Sequence, residues 1–457
     1  MNVSQNSFKQ PSKKLSFIEK LSYGFGDLAS NFVWGMTTSY LLFFYTDIFG
    51  LAAGAVGTLF LLTRIWDAVN DPLMGILVDK TNTKHGKARP YILYLAIPFA
   101  IISVLTFITP DFSYTGKLIY AYVTYTLLGM IYTAINLPYG ALMSMMTRDS
   151  EEKAKLSSFR MMGMATGAIL VSVLTLELVD FFGNGNQQLG FPITMGVFSL
   201  IAIGLFMMTF RHCKERYAEY QTADHEVDVK KSMTSLMKNG PWRIVSLNAL
   251  ILFLRVGAMS GVLIYYITYV LERPGLAPLY LGLLNAAYFV GAFFAPSLLK
   301  KLGNRNGTIV ATSMALLLFI SLIFLESAPQ LLFASLFFLA NAAIGIGNAA
   351  TLAMLADTVD YQEYKFGTRS EGTLYASYSF ATKLGIALGS AFVAYALDFA
   401  GYTPEALTEG ALSMIRFLMF AAPIVFTALQ IFVLFFYKLD RTHAKIVQHL
   451  KNNTITS

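Results

Sequence analysis

The segment Arg64-Ile-Trp-Asp67-Ala-Val-Asn70-Asp71-Pro72 places three charged side chains inside an apolar stretch. Leu-Phe-Leu-Leu-Thr precedes it and Leu-Met-Gly-Ile-Leu-Val follows it, so the whole run is long enough to cross a bilayer. A charged side chain near the bilayer centre costs about 2.5–3.5 kcal/mol on insertion scales. Because such residues are by default ion or proton sites, the segment predicts a membrane helix that carries the working site of the protein.

The charged residues of this segment share one helix face. Arg64 and Asp67 are three positions apart and Asp67 and Asp71 are four apart, which brings neighbouring Cβ atoms to about 5–6 Å. Two carboxylates so close repel each other unless a cation lies between them. Arg64 can serve one carboxylate, and the other requires Na⁺, H⁺ or a lysine from another helix. We therefore predict a cation site at Asp67, Asn70 and Asp71, in which the two aspartates are metal ligands if the ion is sodium.

The alternative is that these charges form only a salt-bridge cluster that ties helices together. A cluster kept for structure alone can be replaced by packed apolar residues at little cost. The cation site is therefore the favoured interpretation.

The composition excludes an ordinary soluble protein. Of the 457 residues, 55% are hydrophobic and 13% are charged, whereas about 25% charged is usual in soluble domains. The net charge is +7, but most basic residues fall between the apolar segments and in the tails, so we expect membrane lipid and no nucleic acid as a partner. A single cysteine, Cys213, excludes an intrachain disulfide.

Twelve stretches are apolar and long enough to span a bilayer. They fall at 20–47, 53–79, 90–109, 117–146, 155–182, 191–211, 244–271, 278–299, 307–325, 331–360, 370–397 and 411–437. The hydrophilic interval Arg211–Arg243 separates six from six. The sequence thus predicts an all-α membrane protein of twelve transmembrane helices in two six-helix pseudo-repeats. Its predicted parts are a tail over 1–19, a bundle over 20–213, a loop over 214–241, a bundle over 242–438 and a tail over 439–457.

The basic residues are distributed unevenly between the loops. Loops after helices two, four, six, eight and ten, together with both tails, hold 27 of the 34 lysines and arginines, while the opposite loops hold only Lys117 and Arg273. By the positive-inside rule, both termini and the middle loop are cytoplasmic. Gly86-Lys-Ala-Arg89 after the second helix and Gly303-Asn-Arg305 after the eighth stand at equivalent places. We infer two halves related by a parallel repeat, with a site between them near the midplane, as in the major facilitator superfamily.

Other polar side chains interrupt the apolar helices. They are Asp27 and Asn31 in the first helix, Tyr132, Thr133 and Asn136 in the fourth, Arg160 in the fifth, and Tyr375, Ser379 and Lys383 in the eleventh. Tyrosines and hydroxyl groups in membrane helices often serve as contacts between helices. An unpaired cation facing lipid is costly, however, so we expect Arg160 and Lys383 to face the carboxylates or a hydrated cavity.

A charged cluster marks the junction of the tenth and eleventh helices. Asp357, Asp360 and Glu363 end the tenth helix, and Arg369 follows them. Carboxylates and cations at a cytoplasmic junction suit a gate. A solvated helix end is the alternative for each residue taken singly.

These stretches together resemble the glycoside–pentoside–hexuronide:cation symporters, the melibiose-permease-like branch of the major facilitator superfamily. The resemblance extends over nearly the whole chain. It is carried by Tyr23-Gly-Phe-Gly-Asp27, Phe44-Tyr-Thr-Asp47, the segment Arg64–Pro72, Gly86-Lys-Ala-Arg-Pro90, Asn136-Leu-Pro-Tyr139, Ala356-Asp-Thr-Val-Asp-Tyr-Gln-Glu-Tyr364 and Ser379 through Lys383.

The resemblance implies roles for individual residues. Asp67 and Asp71 match the family's cation-coordinating carboxylates. Thr133 and Lys383 match groups beside that site, where Lys383 would balance the charge of the empty site. Arg160 matches an arginine at the sugar.

Three departures from the family bear on the substrate. Asn31 and Asn136 stand where galactoside-carrying members have aspartates, and Gly140 stands where they have a tryptophan. A melibiose-type galactoside is therefore not the expected substrate. We expect the substrate to be bound by Asp27, Asn31, Tyr132, Asn136, Arg160, Tyr375 and Ser379.

We therefore expect a secondary active transporter in the bacterial cytoplasmic membrane, without enzymatic activity or cofactor. It would carry a glycoside inward with H⁺ or Na⁺ by alternating access. The sugar is either neutral, such as a pentoside, a xyloside or another oligosaccharide, or a glucuronide. The sequence holds no Gly-rich phosphate loop with Lys-Ser or Lys-Thr, so ATP is not expected to drive it directly.

Two other functions stay open at this point. A lipid or lysolipid carrier on the same fold would favour a wide apolar pocket over the polar strip described above. A non-transporting sensor would need an output domain, and a membrane enzyme would need a nucleophile and base inside the apolar segments. The oligomeric state is also open, and a monomer is compatible with the sequence.

Overall fold

The computed structural model describes residues 14–81, 83–147, 149–216, 236–326, 328–367, 371–404 and 406–456, and these are almost entirely helical. In this described part, twelve long helices coincide with the twelve predicted segments. They are α1 (Phe17–Phe43), α2 (Ala53–Lys80), α3 (Arg89–Thr106), α4 (Tyr114–Met146), α5 (Ser150–Gly183), α6 (Gln187–His212), α7 (Gly240–Tyr265), α8 (Ala277–Leu302), α9 (Asn304–Phe324), α10 (Gln330–Phe366), α11 (Glu371–Phe399) and α12 (Glu409–Phe435). A shorter helix, α13 (His443–Thr456), follows in the segment predicted as a tail.

Ten of the twelve long helices are long and apolar enough to cross a membrane. The other two are α1, which carries Asp27 and Asn31, and α2, which carries Arg64, Asp67 and Asp71. The observed helix ends differ from the predicted ones mostly by a few residues. The largest extension is in α10, whose polar end continues to Phe366 and stops at Gly367, where φ is +65°. That left-handed conformation favours glycine and ends the helix.

The two halves have the same internal packing. Helix α1 packs against α5 and α6 in the first half, as α7 packs against α11 and α12 in the second. Helix α2 contacts α4 as α8 contacts α10, and α3 and α9 also occupy equivalent places. Even a local irregularity recurs, because α1 and α7 each continue into a π-helical turn, at Phe44–Ile48 and Tyr266–Val270. The predicted parallel repeat is confirmed.

The two basic loops are also equivalent in structure. The backbone N–H groups of residues 87–89 donate to the carboxylate of Glu215, at 2.8–2.9 Å. In the second half, the N–H of Arg305 donates to Asp440 at 2.7 Å. The guanidinium groups of Arg89 and Arg305 donate to backbone carbonyls at the ends of α6 and α12. Each loop therefore anchors the segment that follows the sixth helix of its half.

Among the described residues, the halves meet mainly through three pairs of helices: α1 with α7, α2 with α11, and α5 with α8. We call the end of the molecule with the two anchored loops the basic end, and the end where α1 and α7 finish the far end. Several hydrogen bonds join the halves in the part nearer the far end. They are Thr46–Tyr265, Thr58–Tyr395 and Asn285–Ser172, at 2.7–2.9 Å.

A carboxylate and three tyrosines, the far-end cluster, close the junction at that end. Asp47 of the first half accepts hydrogen bonds from the hydroxyls of Tyr269 and Tyr402, the latter at 2.7 Å. The ring of Tyr402 packs edge-on against Tyr265 and Tyr269, with centroids 5.4 and 5.9 Å away. Side chains from both π-helical turns thus meet in one partly buried contact between the halves.

Candidate functional site

Asp67 is held by Arg64 within helix α2. Arg64 Nη1 donates to Asp67 Oδ2 at 2.7 Å, and Nη2 donates to the Tyr125 hydroxyl at 3.2 Å. Both charged side chains are buried. Arg64 therefore serves Asp67, as the three-residue spacing predicts.

Asp71 is neutralised by the other half of the molecule. Lys383 of α11 forms an ion pair with Asp71 Oδ2, and Thr133 of α4 donates to Asp71 Oδ1 at 3.1 Å. The side chains of Lys383 and Asp71 are 30% and 32% exposed, so this pair is far more accessible than the Arg64–Asp67 pair. Of the three partners predicted for the second carboxylate, the structure shows a lysine from another helix, Lys383, which joins the two halves near the middle of α11.

Asn70 completes the predicted ion cluster. Its side chain is buried, and its amide nitrogen has no hydrogen-bond partner among the described residues. An unpaired buried polar group costs about 1–3 kcal/mol. The amide nitrogen is a donor, so Asn70 could contribute to a cation site only through its carbonyl oxygen. In the described part of the chain, no three His, Cys, Asp or Glu side chains come together as a metal cluster. A cation here would therefore rely on the two carboxylates and on neutral groups such as the Thr133 hydroxyl.

Arg160 of α5 forms a two-pronged ion pair with Asp27 of α1. Its Nε lies 2.5 Å from Asp27 Oδ2 and its Nη2 lies 3.3 Å from Oδ1. The guanidinium also lies 4.8 Å from the ring centroid of Tyr139, whose hydroxyl donates to Asp27 at 3.3 Å. Arg160 therefore faces a carboxylate of the first helix. This is one of the two arrangements expected for Arg160, because an unpaired cation facing lipid is costly.

Two glycines let α1 and α5 approach closely enough to form this pair. A Cβ added to Gly24 would lie 2.6 Å from the carbonyl oxygen of Phe159, and one added to Gly163 would lie 2.2 Å from the carbonyl oxygen of Gly24. Such distances are shorter than a Cβ tolerates. Small residues at helix contacts are the usual means of close packing in membranes.

The two asparagines predicted at the substrate site are held by their own helices. Asn31 donates to the carbonyl oxygen of Asp27 at 2.9 Å, and Asn136 donates to that of Tyr132 at 3.2 Å. Asn136 Oδ1 also accepts from the Ser30 hydroxyl at 3.3 Å. Both amides are thus oriented within the first half, where they add polarity without adding charge.

Gly140 leaves room for a side-chain carbon beside Arg160. A Cβ added to Gly140 would meet only Arg160 Nη1, at 4.0 Å, among the described atoms around it. Ser379 is exposed and lies one turn before Lys383 on α11. The side chain of Tyr375 lies outside the described residues.

Trp34 is absent from the predicted site residues, yet the structure places it beside both parts of the site. Its ring stacks on Tyr132, with centroids 4.3 Å apart and planes 18° apart. The guanidinium carbon of Arg64 lies 5.1 Å from the Trp34 ring centroid. The spacing of seven residues from Asp27 puts Trp34 on the same face of α1, and this was the available sequence signal.

A crevice next to the ion cluster is lined by residues of α1, α2 and α4. They are Trp34, Thr63, Arg64, Trp66, Asp67, Tyr125, Thr126 and Gly129. Its volume of about 10 Å³ has room for one water-sized particle and none for a sugar ring. The crevice therefore belongs with the ion cluster, and a sugar would have to bind elsewhere.

The predicted gate residues lie at the basic end of α10. His443 Nε2 lies 2.9 Å from Asp360 and 3.6 Å from Asp357, and Asn304 donates to Asp357 at 3.0 Å. These contacts stay within the second half and fix the start of α13 against α10. Glu363 lies one turn beyond Asp360 on α10, and Arg369 lies outside the described residues.

Comparison with known proteins gives concordant matches over nearly the whole chain. The model of the family "MFS/sugar transport protein" matches residues 22–441. YagG of Escherichia coli, a candidate glycoside/cation symporter, is 38% identical over 443 residues, which cover 95% of this chain and 94% of YagG. The isoprimeverose transporter of Lactiplantibacillus pentosus is 34% identical over 440 residues, which cover 95% of this chain and 91% of that protein.

A solved structure shows the same fold. A mutant of the nucleoside transporter NupG matches with a TM-score of 0.67 and 12% identity, over 92% of this chain and 100% of that one. At this level of identity the likeness concerns the fold alone. It agrees with the twelve helices and the parallel repeat seen here.

Proposed function

The chain belongs to the family of MFS/sugar transport proteins, and on this premise we propose that it is a cation-coupled glycoside symporter that works by alternating access. The observation that carries the proposal is the Lys383–Asp71 ion pair, because it joins the two halves of the fold. A cation that binds Asp71 competes with Lys383 for the same carboxylate. Ion binding is then tied to the contact between the halves, which is the link that a symporter requires.

The proposed ion site consists of Asp67, Asn70, Asp71 and Thr133. Its cargo is H⁺ or Na⁺, since carboxylate and hydroxyl oxygens suit a hard cation and a carboxylate also accepts a proton. In the described arrangement, Arg64 and Lys383 occupy the two carboxylates. We interpret this as the ion-free state, in which the protein's own cations balance the charge.

Charge balance favours a neutral glycoside as the sugar. Three carboxylates pair with three cations: Asp27 with Arg160, Asp67 with Arg64, and Asp71 with Lys383. Among the residues predicted for the ion and substrate sites, these pairs leave no cation over for a substrate carboxylate. A uronide is the competing substrate, because Arg160 can exchange Asp27 for another carboxylate and bind it through two hydrogen bonds.

We further propose that the basic end faces the cytoplasm of a bacterial cell. The loop charges support this orientation through the positive-inside rule. The far-end cluster then closes the site from outside, and the described arrangement is inward-facing. Asp357, Asp360 and Glu363, with Arg369, are proposed to act as the gate when the halves close at the basic end.

Uptake by membrane vesicles tests the proposed function. One cation moving inward gains about 2.3 kcal/mol per 100 mV, which corresponds to roughly fiftyfold accumulation of a neutral sugar. We expect an inside-negative potential to drive accumulation of p-nitrophenyl xyloside when Na⁺ or H⁺ is supplied outside. A monoanionic p-nitrophenyl glucuronide moving with one cation would be electroneutral and would not respond.

The matched variants are Asp71→Asn and Asp180→Asn. Asp71→Asn should lose accumulation and keep exchange of sugar down its gradient, because the cation loses a charged ligand. Asp180, exposed near the end of α5, should tolerate the same change. Accumulation by Asp71→Asn at the wild-type level would refute the ion site. Stimulation of xyloside uptake by the potential, without competition from the glucuronide, would exclude the uronide.

A further inference from the structure

We propose that Trp34 couples the ion site to the sugar site by holding Arg64 on Asp67 until a glycoside displaces the stacked pair Trp34–Tyr132. The inference rests on the proposed symport function. It assigns a positioning role to Trp34 of α1, which contacts both Arg64 and Tyr132.

The ion side of the contact is the environment of Arg64. Its Nη1 and Nη2 are engaged by Asp67 and Tyr125. Its Nε is buried without a hydrogen-bond partner among the described residues. The Trp34 ring, 5.1 Å from the guanidinium carbon, supplies a cation–π contact in this desolvated place. Trp34 therefore helps to keep Arg64 against Asp67 and away from water.

The sugar side of the contact is the stack on Tyr132. The two rings lie nearly parallel, with centroids 4.3 Å apart, so displacing Tyr132 would remove the ring that supports Trp34. The carbonyl of Tyr132 holds the amide of Asn136, one of the predicted substrate residues. Trp34 itself shares a face of α1 with Asp27, whose partner is Arg160. In this proposal, a glycoside bound at Asn136 and Arg160 presses on the stack from the substrate side.

Arg64 has two states in this proposal, and they differ in how strongly the crevice attracts a cation. With the stack in place, Arg64 neutralises Asp67, so the crevice does not attract a cation. With the stack displaced, Arg64 loses its ring contact and Asp67 becomes available to a cation. Sugar binding then strengthens cation binding, and by thermodynamic linkage the cation strengthens sugar binding by the same factor.

The test measures this reciprocal factor in the full-length protein. The Kd of Na⁺ is measured with and without saturating p-nitrophenyl xyloside, and the Kd of the xyloside with and without Na⁺, with H⁺ as the ion if Na⁺ has no effect. In wild type we expect each ligand to tighten the other by about tenfold. In Trp34→Phe the factor should fall to near one, because the smaller ring no longer spans Arg64 and Tyr132, while each ligand alone still binds.

Control variants separate this effect from general damage. Trp242→Phe changes a buried tryptophan of α7 outside the site and should keep the wild-type factor. Trp34→Tyr keeps an aromatic side chain longer than that of phenylalanine and should recover part of the reciprocal factor. Transport supplies an independent readout, since Trp34→Phe should move sugar down its gradient without accumulating it.

The outcomes distinguish the inference from the proposed function. A wild-type protein without reciprocal tightening would refute symport itself. Wild-type reciprocity that persists in Trp34→Phe would overturn the role of Trp34 and leave symport intact. Should Trp34→Phe fail to fold, a second experiment uses the double variant Trp66→Phe/Trp242→Phe, in which Trp34 is the sole tryptophan. The fluorescence emission of Trp34 should shift with xyloside alone and with Na⁺ alone. An unchanged emission would refute the inference.

Discussion

At the scale of single residues, Lys383 combines two properties that are usually separate. It neutralises a carboxylate of the ion cluster, and it crosses from one half of the fold to the other. The pair is partly exposed, so an ion from solution can reach it. Charge balance and the contact between the halves therefore depend on one ammonium group.

Lys383→Ala should reduce sugar exchange by about tenfold or more, because removing one partner leaves an uncompensated carboxylate. Adding Asp71→Asn should restore part of the exchange by removing that carboxylate. The double-mutant cycle should give a coupling energy of about 1–3 kcal/mol. Exchange of p-nitrophenyl xyloside in vesicles measures all three variants. A double variant no better than the worse single variant would contradict direct pairing.

Glu152 gives a pH-dependent test at the basic end. It accepts the N–H of Leu15 at 3.0 Å and forms ion pairs with Lys20 and Lys155, at 2.8 and 3.0 Å. The hydrogen bond from Lys20, supported by those from Lys155 and Leu15, lowers the pKa of Glu152 from 4.5 to about 2. Because the pKa is lower in the folded state, the stabilisation is complete above pH 4.5 and is lost as the pH falls towards 2.

Glu152→Gln should therefore lower the melting temperature at neutral pH, by about 2–4 °C. The difference from wild type should shrink as the pH falls from 4.5 towards 2, because the carboxylate of the unfolded wild-type chain takes up a proton in this range while that of the folded chain does not. Thermal melts of the detergent-solubilised protein measure both. Asp111→Asn, at an exposed loop position, serves as the control. A difference that stays constant over this pH range would rule out the proposed cause.

At the scale of helices, the packing of α1 on α5 sets the geometry of the substrate region. Gly163→Val should push the two helices apart, because its Cβ alone would already lie 2.2 Å from the carbonyl oxygen of Gly24. We expect a loss of about 1–3 kcal/mol in stability from overpacking, together with weaker xyloside binding as Arg160 leaves Asp27. Gly204→Val is the matched control, since a Cβ there meets no described atom within 4 Å. Equal melting temperatures for the two variants would contradict this account of the helix contact.

The helices were predictable where apolar length alone determines them. A bilayer requires about 20 apolar residues in a span, and the twelve spans follow from that requirement. The end of α10 and helix α13 were not predictable in this way, because both are polar and depend on local contacts such as His443 with Asp360. The π-helical turns after α1 and α7 carry no composition of their own and also went unpredicted.

At the site, too, the sequence predicts contacts within one helix better than contacts between helices. The Arg64–Asp67 pair follows from a spacing of three residues within one helix. For Arg160 and Lys383, the sequence predicted the need for a partner and left the choice open, since the partners come from distant helices. Trp34 was missed because a single aromatic residue in an apolar helix looks like packing, and its role depends on Tyr132 and Arg64 across helix contacts.

At the scale of the whole molecule, orientation in the membrane is the property to test first. A reporter enzyme active only outside the cytoplasm should be inactive when fused within 217–235 and active when fused at Gly275, in the connection between α7 and α8. The expectation rests on 27 of the 34 basic residues lying on one side of the membrane. The reverse pattern of activity would invert the assignment of the basic end and, with it, the inward-facing interpretation.

The far-end cluster has a consequence for cells that live in media of changing salinity. Its contacts between the halves are hydrogen bonds from tyrosine hydroxyls to Asp47, packed among aromatic rings. Mobile ions screen exposed charge pairs over about 8–10 Å at ordinary ionic strength, but they act less on a hydrogen bond from a neutral donor. With the basic end in the cytoplasm, as proposed above, this closure is the outer seal. It should then depend less on external salt than the Lys383–Asp71 ion pair does.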